Sequence, residues 1–422
     1  MSEDISYKYT TSWKIRLYPN KSQEEVFRKT IGCCRKIYNE MLSERIDFYE
    51  QNKDNKEALK THKYKTEKEL KQEYEYLREI DSIALQQSRR DLESAYKNFF
   101  KSKFGYPKFH RKGQKDSYRT QNVSNNIKVN LDNRKICIPK IGWVSYRDKR
   151  TDIDGKILNL TVSMTKTGKF FASIVFEKIV DQPKEKELDI ETAIQEGLRI
   201  KGLDMSLEHF YVDENGNYPK NFRRLYREYE KKIAYLQRQV SKKQKGSNNK
   251  KKAQLKLNKI YDKIANLRKD FIEKLSTELI NNNDVIVVET LSLQGMSQAL
   301  NLGKSVMDLG YSMFVKRLED KAKLQGKLVI KADKWYASSK TCSKCGYVYK
   351  ELKLSEREWV CPECGEHHYR DQNAGQNLII YGFSILLSMI DTAGLVQSEE
   401  LVEMSELSES MKQEAVESLA QR

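Results

Sequence analysis

Four cysteines carry the most specific chemistry in the chain. Cys342 and Cys345 form one C-x-x-C pair, Cys361 and Cys364 a second, and fifteen residues lie between the pairs. A glycine follows each pair directly, Gly346 and Gly365, as a tight knuckle requires. Two such knuckles bring four thiolates to the corners of a tetrahedron, the arrangement Zn²⁺ accepts, and four protein ligands leave no open position. The expected zinc is therefore structural. His367 and His368 follow the second pair; with four cysteines filling the shell, they read as surface groups or as groups just outside it. Two disulfides are the competing reading. Met1–Thr11 is polar and lacks the apolar stretch of a secretory signal, which argues for a reducing, cytoplasmic setting. Seven residues past Cys364 stands Asp371, in R-D-Q-N-A at the start of a helical pattern. An Asp there is either an ordinary helix N-cap or, held by a metal-fixed knuckle, a catalytic metal ligand.

Two more carboxylates have matching positions. Ile200–Asp204 (I-K-G-L-D) reads as a strand ending in Asp204, and Asp284–Glu289 (D-V-I-V-V-E) as a strand buried on both faces and ending in Glu289. Strand C-termini and the helix starts that follow converge on one edge of an α/β sheet. Asp204, Glu289 and Asp371 can meet there and hold two divalent ions. Mg²⁺ suits all-oxygen ligands, and a two-metal site hydrolyses phosphodiesters. Singly, acids at strand ends are loop caps. The order strand-Asp, strand-Glu, cysteine ribbon, R-D-x-N is far more specific.

The elements that must position these groups follow from periodicity. Residues 12–19 alternate and stop at Pro19, giving one strand; Ser22 and Glu25 then fit a capping box for a helix running to about Glu50. Asn52–Tyr64 reads as a loop, Leu70, Tyr74 and Leu77 as a second helix, and Asp81 or Ser82 as the cap of a third. From Ile127 to Phe176 the period is two: Ile127 and Val129 face Ile136 and Ile138, Trp143 lies in a short strand, and Leu160–Met164 faces Phe170–Phe176. This is a small antiparallel sheet or barrel, which the strand at 12–19 joins, so the helices are an insertion between its strands. In the third unit the Asn215-Gly216 turn continues a hairpin after His209–Val212. Two long helices then flank a Lys-rich tip, and a helix at Ser312–Leu324 and a strand at Lys327–Ala332 lead back to the cysteines.

Charge points to a polyanion. The chain carries +17, but Glu399–Arg422 holds seven Glu against one Lys and one Arg, so residues 1–398 carry +22. Between 103 and 119, Phe104, Tyr106, Phe109 and Tyr118 interleave with Lys103, Lys108, Arg111, Lys112, Lys115 and Arg119. That composition is a nucleic-acid contact or, equally, a solvated loop with buried rings. Cys33, Cys34 and Cys137 read as buried free thiols, and no apolar run has membrane-spanning length.

Taken together, R-L-Y-P-N, F-F-K-S-K-F-G-Y-P-K-F, K-G-L-D-M-S-L, N-D-V-I-V-V-E-T-L, S-S-K-T-C-S-K-C-G and R-D-Q-N-A-G-Q-N-L make residues 12–380 resemble the TnpB/OrfB proteins of bacterial insertion sequences, relatives of type V CRISPR nucleases. The resemblance implies a multidomain α+β and α/β chain. A helical recognition lobe (21–103) is inserted in a β-barrel wedge domain (1–20 and 104–180). A linker (181–196) leads to an RNase H-like RuvC nuclease domain (197–336 and 369–390) with an inserted zinc ribbon (337–368), and 391–422 is an acidic tail. It implies catalytic roles for Asp204, Glu289 and Asp371, a guide RNA transcribed from the transposon end, and a double-stranded DNA target beside a short flanking motif. A miniature type V effector and an RNA-guided repressor are the alternatives; all three acids are kept, which argues against the repressor. The chain departs from the family pattern at Ser206, Thr290 and Tyr369, where glycine and two acids are usual.

Overall fold

Trp13, Ile15 and Leu17 are buried and alternate with Lys14 and Arg16, so β1 (Ser6–Tyr18) shows one apolar face to a core. In this computed structural model, which describes residues 6–101, 104–114, 116–150, 153, 155–181, 193, 197–291, 303–353 and 355–392, the chain divides into two units, Met1–Pro183 and Lys184–Arg422. In the first unit β1 lies between β7 (Phe170–Asp181) and β5 (Gly142–Arg147). Its register with β7 runs from Ser6↔Asp181 to Leu17↔Phe170. With β2 (Ser117–Gln121), β3 (Lys128–Asn130), β4 (Lys135–Ile138) and β6 (Lys156–Met164), the order is β2-β6-β7-β1-β5-β4-β3, antiparallel throughout. The facing pairs Val129↔Ile136, Leu160↔Ile174 and Val162↔Ala172 are those the alternation predicts. A closed barrel is not what forms: among the described residues β2 and β3 each have one neighbour and are the edges of an open sheet.

Helices α1 (Lys21–Asn52), α2 (Lys56–Thr61), α3 (Glu67–Glu73) and α4 (Ser82–Phe100) fill the chain between β1 and β2. Phe27 of α1 stacks on Phe170 of β7 at 5.2 Å, and Ile37, Leu42, Leu85 and Leu92 share a core with the sheet. Asp81 caps α4 through the Ile83 N–H, and its other oxygen accepts from Thr120 of β2. The cap of α1 differs from the expected one. Asn20 accepts from the Gln23 N–H while Gln23 accepts from the Asn20 N–H, and Ser22 donates to the Asn20 side chain. The stretch taken as a loop holds α2, which has no buried residue; the second expected helix is α3 followed by a 3₁₀ turn at Glu75–Glu79. Cys33 and Cys34 are buried as expected, but Cys137 is half-exposed.

The second unit is a four-stranded sheet, order β11-β10-β8-β9, from β8 (Ile200–Ser206), β9 (Phe210–Asp213), β10 (Val285–Val288) and β11 (Leu328–Lys331). β8, β10 and β11 are parallel and β9 is antiparallel to β8. All four residues of β10 are buried, because both faces are covered. Ile286 and Val288 pack with Ile272, Leu279, Phe314 and Leu318 of α6 (Asn248–Asn282) and α8 (Tyr311–Gln325); Val285 and Val287 pack with Leu378 and Leu386 of α9 (Arg370–Thr392). α5 (Leu225–Ser241) pairs with α6 through Ile233, Leu257 and Ile264, and α7 (Gly303–Leu309) precedes α8. The Asn215-Gly216 turn reverses the chain as expected, with Asp213 N–H donating to the Asn217 carbonyl (2.9 Å), though among the described residues no further strand follows it before α5. It lies beyond β9, where Asp213 accepts from the Asn215 and Asn217 N–H groups. Apart from Asp181, Ala193, Asp391 and Thr392, the expected linker and acidic tail fall outside the described residues. Among the described residues no helix is long and apolar enough to cross a membrane.

Candidate active site and cysteine cluster

Val288 of β10 is in register with Leu203 of β8, so the next residues, Glu289 and Asp204, stand side by side on adjacent parallel strands; Glu289 follows the end of β10, whereas β8 does not end at Asp204 as expected but runs on to Ser206, paired with β9. Leu203 faces the α6–α8 core, which turns Gly202 and Asp204 to the opposite face, toward α9. Gly202 makes that approach close: a Cβ there would stand 2.1 Å from the Gly375 carbonyl oxygen. Gly375 and Gly382 repeat the device, against the backbone at Asp213–Glu214 and against Val287. The three glycines let α9 lie on the sheet at backbone contact. Asp371, one helical turn before Gly375, is thereby brought to Asp204, two residues beyond Gly202.

The electrostatics follow from this geometry. Asp204 is only 9% exposed. Burial first, then the carboxylates of Glu289 and Asp371, push its carboxyl well above the usual range, against the pull of Arg370 and Arg357. Burial and Asp371 raise Glu289, while a hydrogen bond from Ser338 (3.4 Å) lowers it. Arg357 Nη1 lies 3.2 and 3.1 Å from the two oxygens of Asp371, and Arg370 adds a contact at 3.2 Å. Among the described residues only the four cysteines bring three or more ligand atoms all within 4.8 Å of one another; the acids are set wider. The donor set is all oxygen and mutually repelling, so it fits a hard divalent cation.

Several groups that hold the acids had no motif to mark them. The Tyr311 hydroxyl donates to the Glu289 carbonyl at 2.9 Å. Asn377 donates to the carbonyls of Ser338 (2.7 Å) and Thr341 (2.6 Å), and Asn373 donates to that of Thr341 (2.7 Å). Both amides are buried and lie four residues apart on α9. The helix carrying Asp371 thus grips the loop whose Ser338 touches Glu289. The only sequence signal was the pair of asparagines at helical spacing in R-D-Q-N-A-G-Q-N. Ser206, where the family has glycine, accepts from the Glu208 and His209 N–H groups (both 3.2 Å) and closes the β8–β9 turn.

The cysteines sit on two knuckles ahead of α9. Gly346 and Gly365 take positive φ (77° and 72°), and each donates its N–H to the first cysteine of its pair, Cys342 or Cys361. Cys342 Sγ lies 3.7 Å from Cys364 Sγ, and Cys345 Sγ lies 3.6 Å from Cys361 Sγ. A tetrahedron with Zn–S bonds of about 2.3 Å has edges of roughly 3.8 Å, so the cluster fits zinc. His368, on β13 (His367–Tyr369) opposite β12 (Glu358–Val360), is buried with Nε2 3.0 Å from Cys342 Sγ; His367 is exposed. Ser343 links the first knuckle to α9, donating from N to Asn373 and from Oγ to Gln376.

In the basic, aromatic stretch the expected buried rings are found in part. Phe104, Tyr106 and Phe109 are exposed, whereas Tyr118 is buried in β2. Lys103 and Lys115 lie outside the described residues.

Three family models match the chain: "Probable transposase" over residues 181–300, "Cas12f1-like, TNB domain" over 311–378 and "Helix-turn-helix domain" over 9–54. Residues 9–54 contain β1 and the single helix α1 rather than two helices. The chain is 30% identical over 396 residues to "Putative RNA-guided DNA endonuclease InsQ" of Escherichia coli (strain K12), covering 90% of this chain and 94% of that one. It is 30% identical over 375 residues to "Putative RNA-guided DNA endonuclease" of Streptomyces pristinaespiralis, covering 88% and 89%. Among solved structures, "Cryo-EM structure of the Cas12f1-sgRNA-target DNA complex" is similar with a TM-score of 0.53, covering 88% of this chain and 98% of that one; at 14% identity the likeness concerns the fold. Identity of this level along nearly the whole of both chains, together with the transposase match, means that the chain belongs to the TnpB/OrfB family of insertion-sequence proteins.

Proposed function

We propose that the protein is an RNA-guided DNA endonuclease of TnpB type, hydrolysing target phosphodiesters at the edge formed by Asp204, Glu289 and Asp371. The observation that carries this reading is the convergence of these three carboxylates, two on adjacent parallel strands and the third on the helix that Gly202 and Gly375 seat against β8. Membership of a family whose relatives are named RNA-guided DNA endonucleases supplies the substrate class. The three acids would hold two Mg²⁺ ions. Such a pair activates a water and stabilises the leaving oxygen of an in-line displacement. Arg357 and Arg370 both contact the Asp371 carboxylate and offset its charge.

In this reading residues 197–336 and 369–390 are the RuvC nuclease domain and 337–368 a zinc ribbon. Residues 21–103 are the recognition lobe, and 1–20 with 104–180 the wedge. The guide RNA comes from the transposon end. Its pairing selects the DNA sequence, and the protein reads the flanking motif and heteroduplex shape. The test is Mg²⁺-dependent cutting of a matched duplex by the purified RNA complex. A complex that binds its target but never cuts would overturn the reading.

Two expectations accompany it. The zinc expectation is that Cys342→Ser with Cys361→Ser removes one equivalent of zinc and weakens cutting in the same step, because Ser343 and the buried asparagines tie the first knuckle to α9. Metal analysis finding no zinc in the parental protein would refute it. The second follows from the +22 charge of residues 1–398. The logarithm of the RNA affinity should fall linearly with log salt, the affinity dropping by roughly 10³-fold or more between 50 and 200 mM if six or more phosphates are neutralised. A flat salt titration would exclude a phosphate-dominated interface.

A further inference from the structure

We infer that Trp335, with Lys334 beside it, is a stacking platform for an unpaired base of the DNA strand delivered to the acid edge; this rests on the endonuclease reading and adds a substrate subsite to it. Trp335 is 83% exposed, the most exposed large apolar side chain among the described residues. Tryptophan is usually well buried, so an uncovered ring calls for a reason. Disorder of the backbone is not that reason, because the loop is pinned on both sides of the ring. Trp335 N–H donates to the Asp333 carboxylate (2.7 Å), and Asp333 N–H donates to the Tyr381 hydroxyl (3.2 Å). On the other side, Tyr336 packs on Tyr381 with ring centroids 4.8 Å apart and donates to the Asn377 carbonyl (3.0 Å). The fold holds the segment still and leaves the indole outside.

Its position gives the ring a substrate. β11 ends at Lys331, and the ladder runs one step further through Ala332 N–H to the Val288 carbonyl (2.9 Å). The loop therefore leaves the sheet at the same edge as Asp204 and Glu289, since β8, β10 and β11 are parallel. Three residues beyond Trp335, Ser338 donates to the Glu289 carboxylate. Even a fully extended chain spans only about 10 Å over that interval. Lys334 Nζ lies over the indole, 4.8 Å from its centroid, so a cation already rests on one face of a ring that is otherwise exposed. A ring for the base and an ammonium for the phosphate are what single-stranded nucleic acid binds, with no sequence preference. Guided pairing displaces one strand of the duplex and so supplies unpaired bases.

The test compares the parental chain with Trp335→Phe and Trp335→Ala, each as the full-length RNA complex. Trp335→Ala should lower the cutting rate about tenfold, within the range that one base–ring stack supports, with zinc content and RNA binding unchanged. Trp335→Phe should restore most of that rate, because a phenyl ring still stacks. In parallel, oligodeoxythymidine should quench the tryptophan emission of the parental complex more than that of Trp335→Phe, the difference reporting this one of the four tryptophans. Parental cutting by Trp335→Ala together with equal quenching would overturn the proposal. A quenching difference without a rate change would remove the claim that the stacked base belongs to the strand being cut. If the parental complex cut nothing, the endonuclease reading would fall, and the quenching difference alone would still decide whether the ring binds single strands.

Discussion

Asp204→Ala, Glu289→Ala and Asp371→Ala should each reduce cutting by at least about 10³-fold, and any pair of these changes should cost little more than one alone, because a metal site that has lost one ligand has already failed. RNA and target binding should persist, since both rest on the basic surface and on pairing. Loss of folding is not expected to confuse the result. Asp204 is buried against two like charges, and removing its carboxylate relieves repulsion. Asp284→Ala is the control on the same strand. Asp284 sits at the opposite end of β10, held by the Arg199 guanidinium at 2.9 and 3.0 Å, so its loss should leave the cutting rate near parental. The measurement is single-turnover cleavage of a matched duplex. An Asp371→Ala complex that cut at the parental rate would dismantle the site.

Gly202→Ala should be the most disruptive methyl group added to the second unit. Its Cβ would stand 2.1 Å from the Gly375 carbonyl oxygen and 3.2 Å from Leu378 Cβ, and neither can yield without moving α9 off β8. The expected cost is about 3 kcal/mol or more, read as a fall of roughly 6–12 °C in the unfolding temperature of that unit. Cutting should fall further than stability alone requires, because a shift of about 1 Å in the helix bearing Asp371 is worth about 10²-fold in rate. Gly32→Ala supplies the opposite sign. Gly32 lies inside α1, and a Cβ there meets nothing within 4 Å, so the substitution should stabilise by up to about 1 kcal/mol. Thermal unfolding of the two variants beside the parent checks both signs.

The same glycines show where sequence reasoning stops. The buried strands, the cysteine spacing and the start of α9 were legible because burial writes a period and a metal writes an interval, but the end of β8 was not, since Met205 and Ser206 continue it in pairing with β9. The alternation of Trp13, Ile15 and Leu17 needed no structure to read, nor did the unbroken apolar run of β10. A contact between two backbones leaves no periodic trace, so Gly202 and Gly375 looked like any other glycines. The cap of α1 was ambiguous for a simple reason: Asn20 with Gln23 and Ser22 with Glu25 both satisfy the capping-box pattern, and only the path of the chain after Pro19 chooses between them. α2 stayed hidden because a short helix with no buried residue carries no apolar stripe. Closure of the seven-stranded sheet was not readable either, since strand count does not say whether edges meet. Tyr311, Ser338, Asn373 and Asn377 escaped because hydrogen bonds to carbonyls depend on the fold and not on spacing.

The central place of β1 has a consequence for how the protein is made. β1 leaves the ribosome before the other described strands, yet its longest partner, β7, lies more than 150 residues later. At translation speeds of about 5–20 residues per second, β1 waits roughly 10–30 s with Trp13, Ile15 and Leu17 uncovered. The helices α1–α4 emerge during that interval, and Phe27 of α1 belongs to the same core as β1. The inserted helices are thus the first apolar surface available to shield the nascent strand, an internal guard against edge-to-edge aggregation until the sheet can be completed.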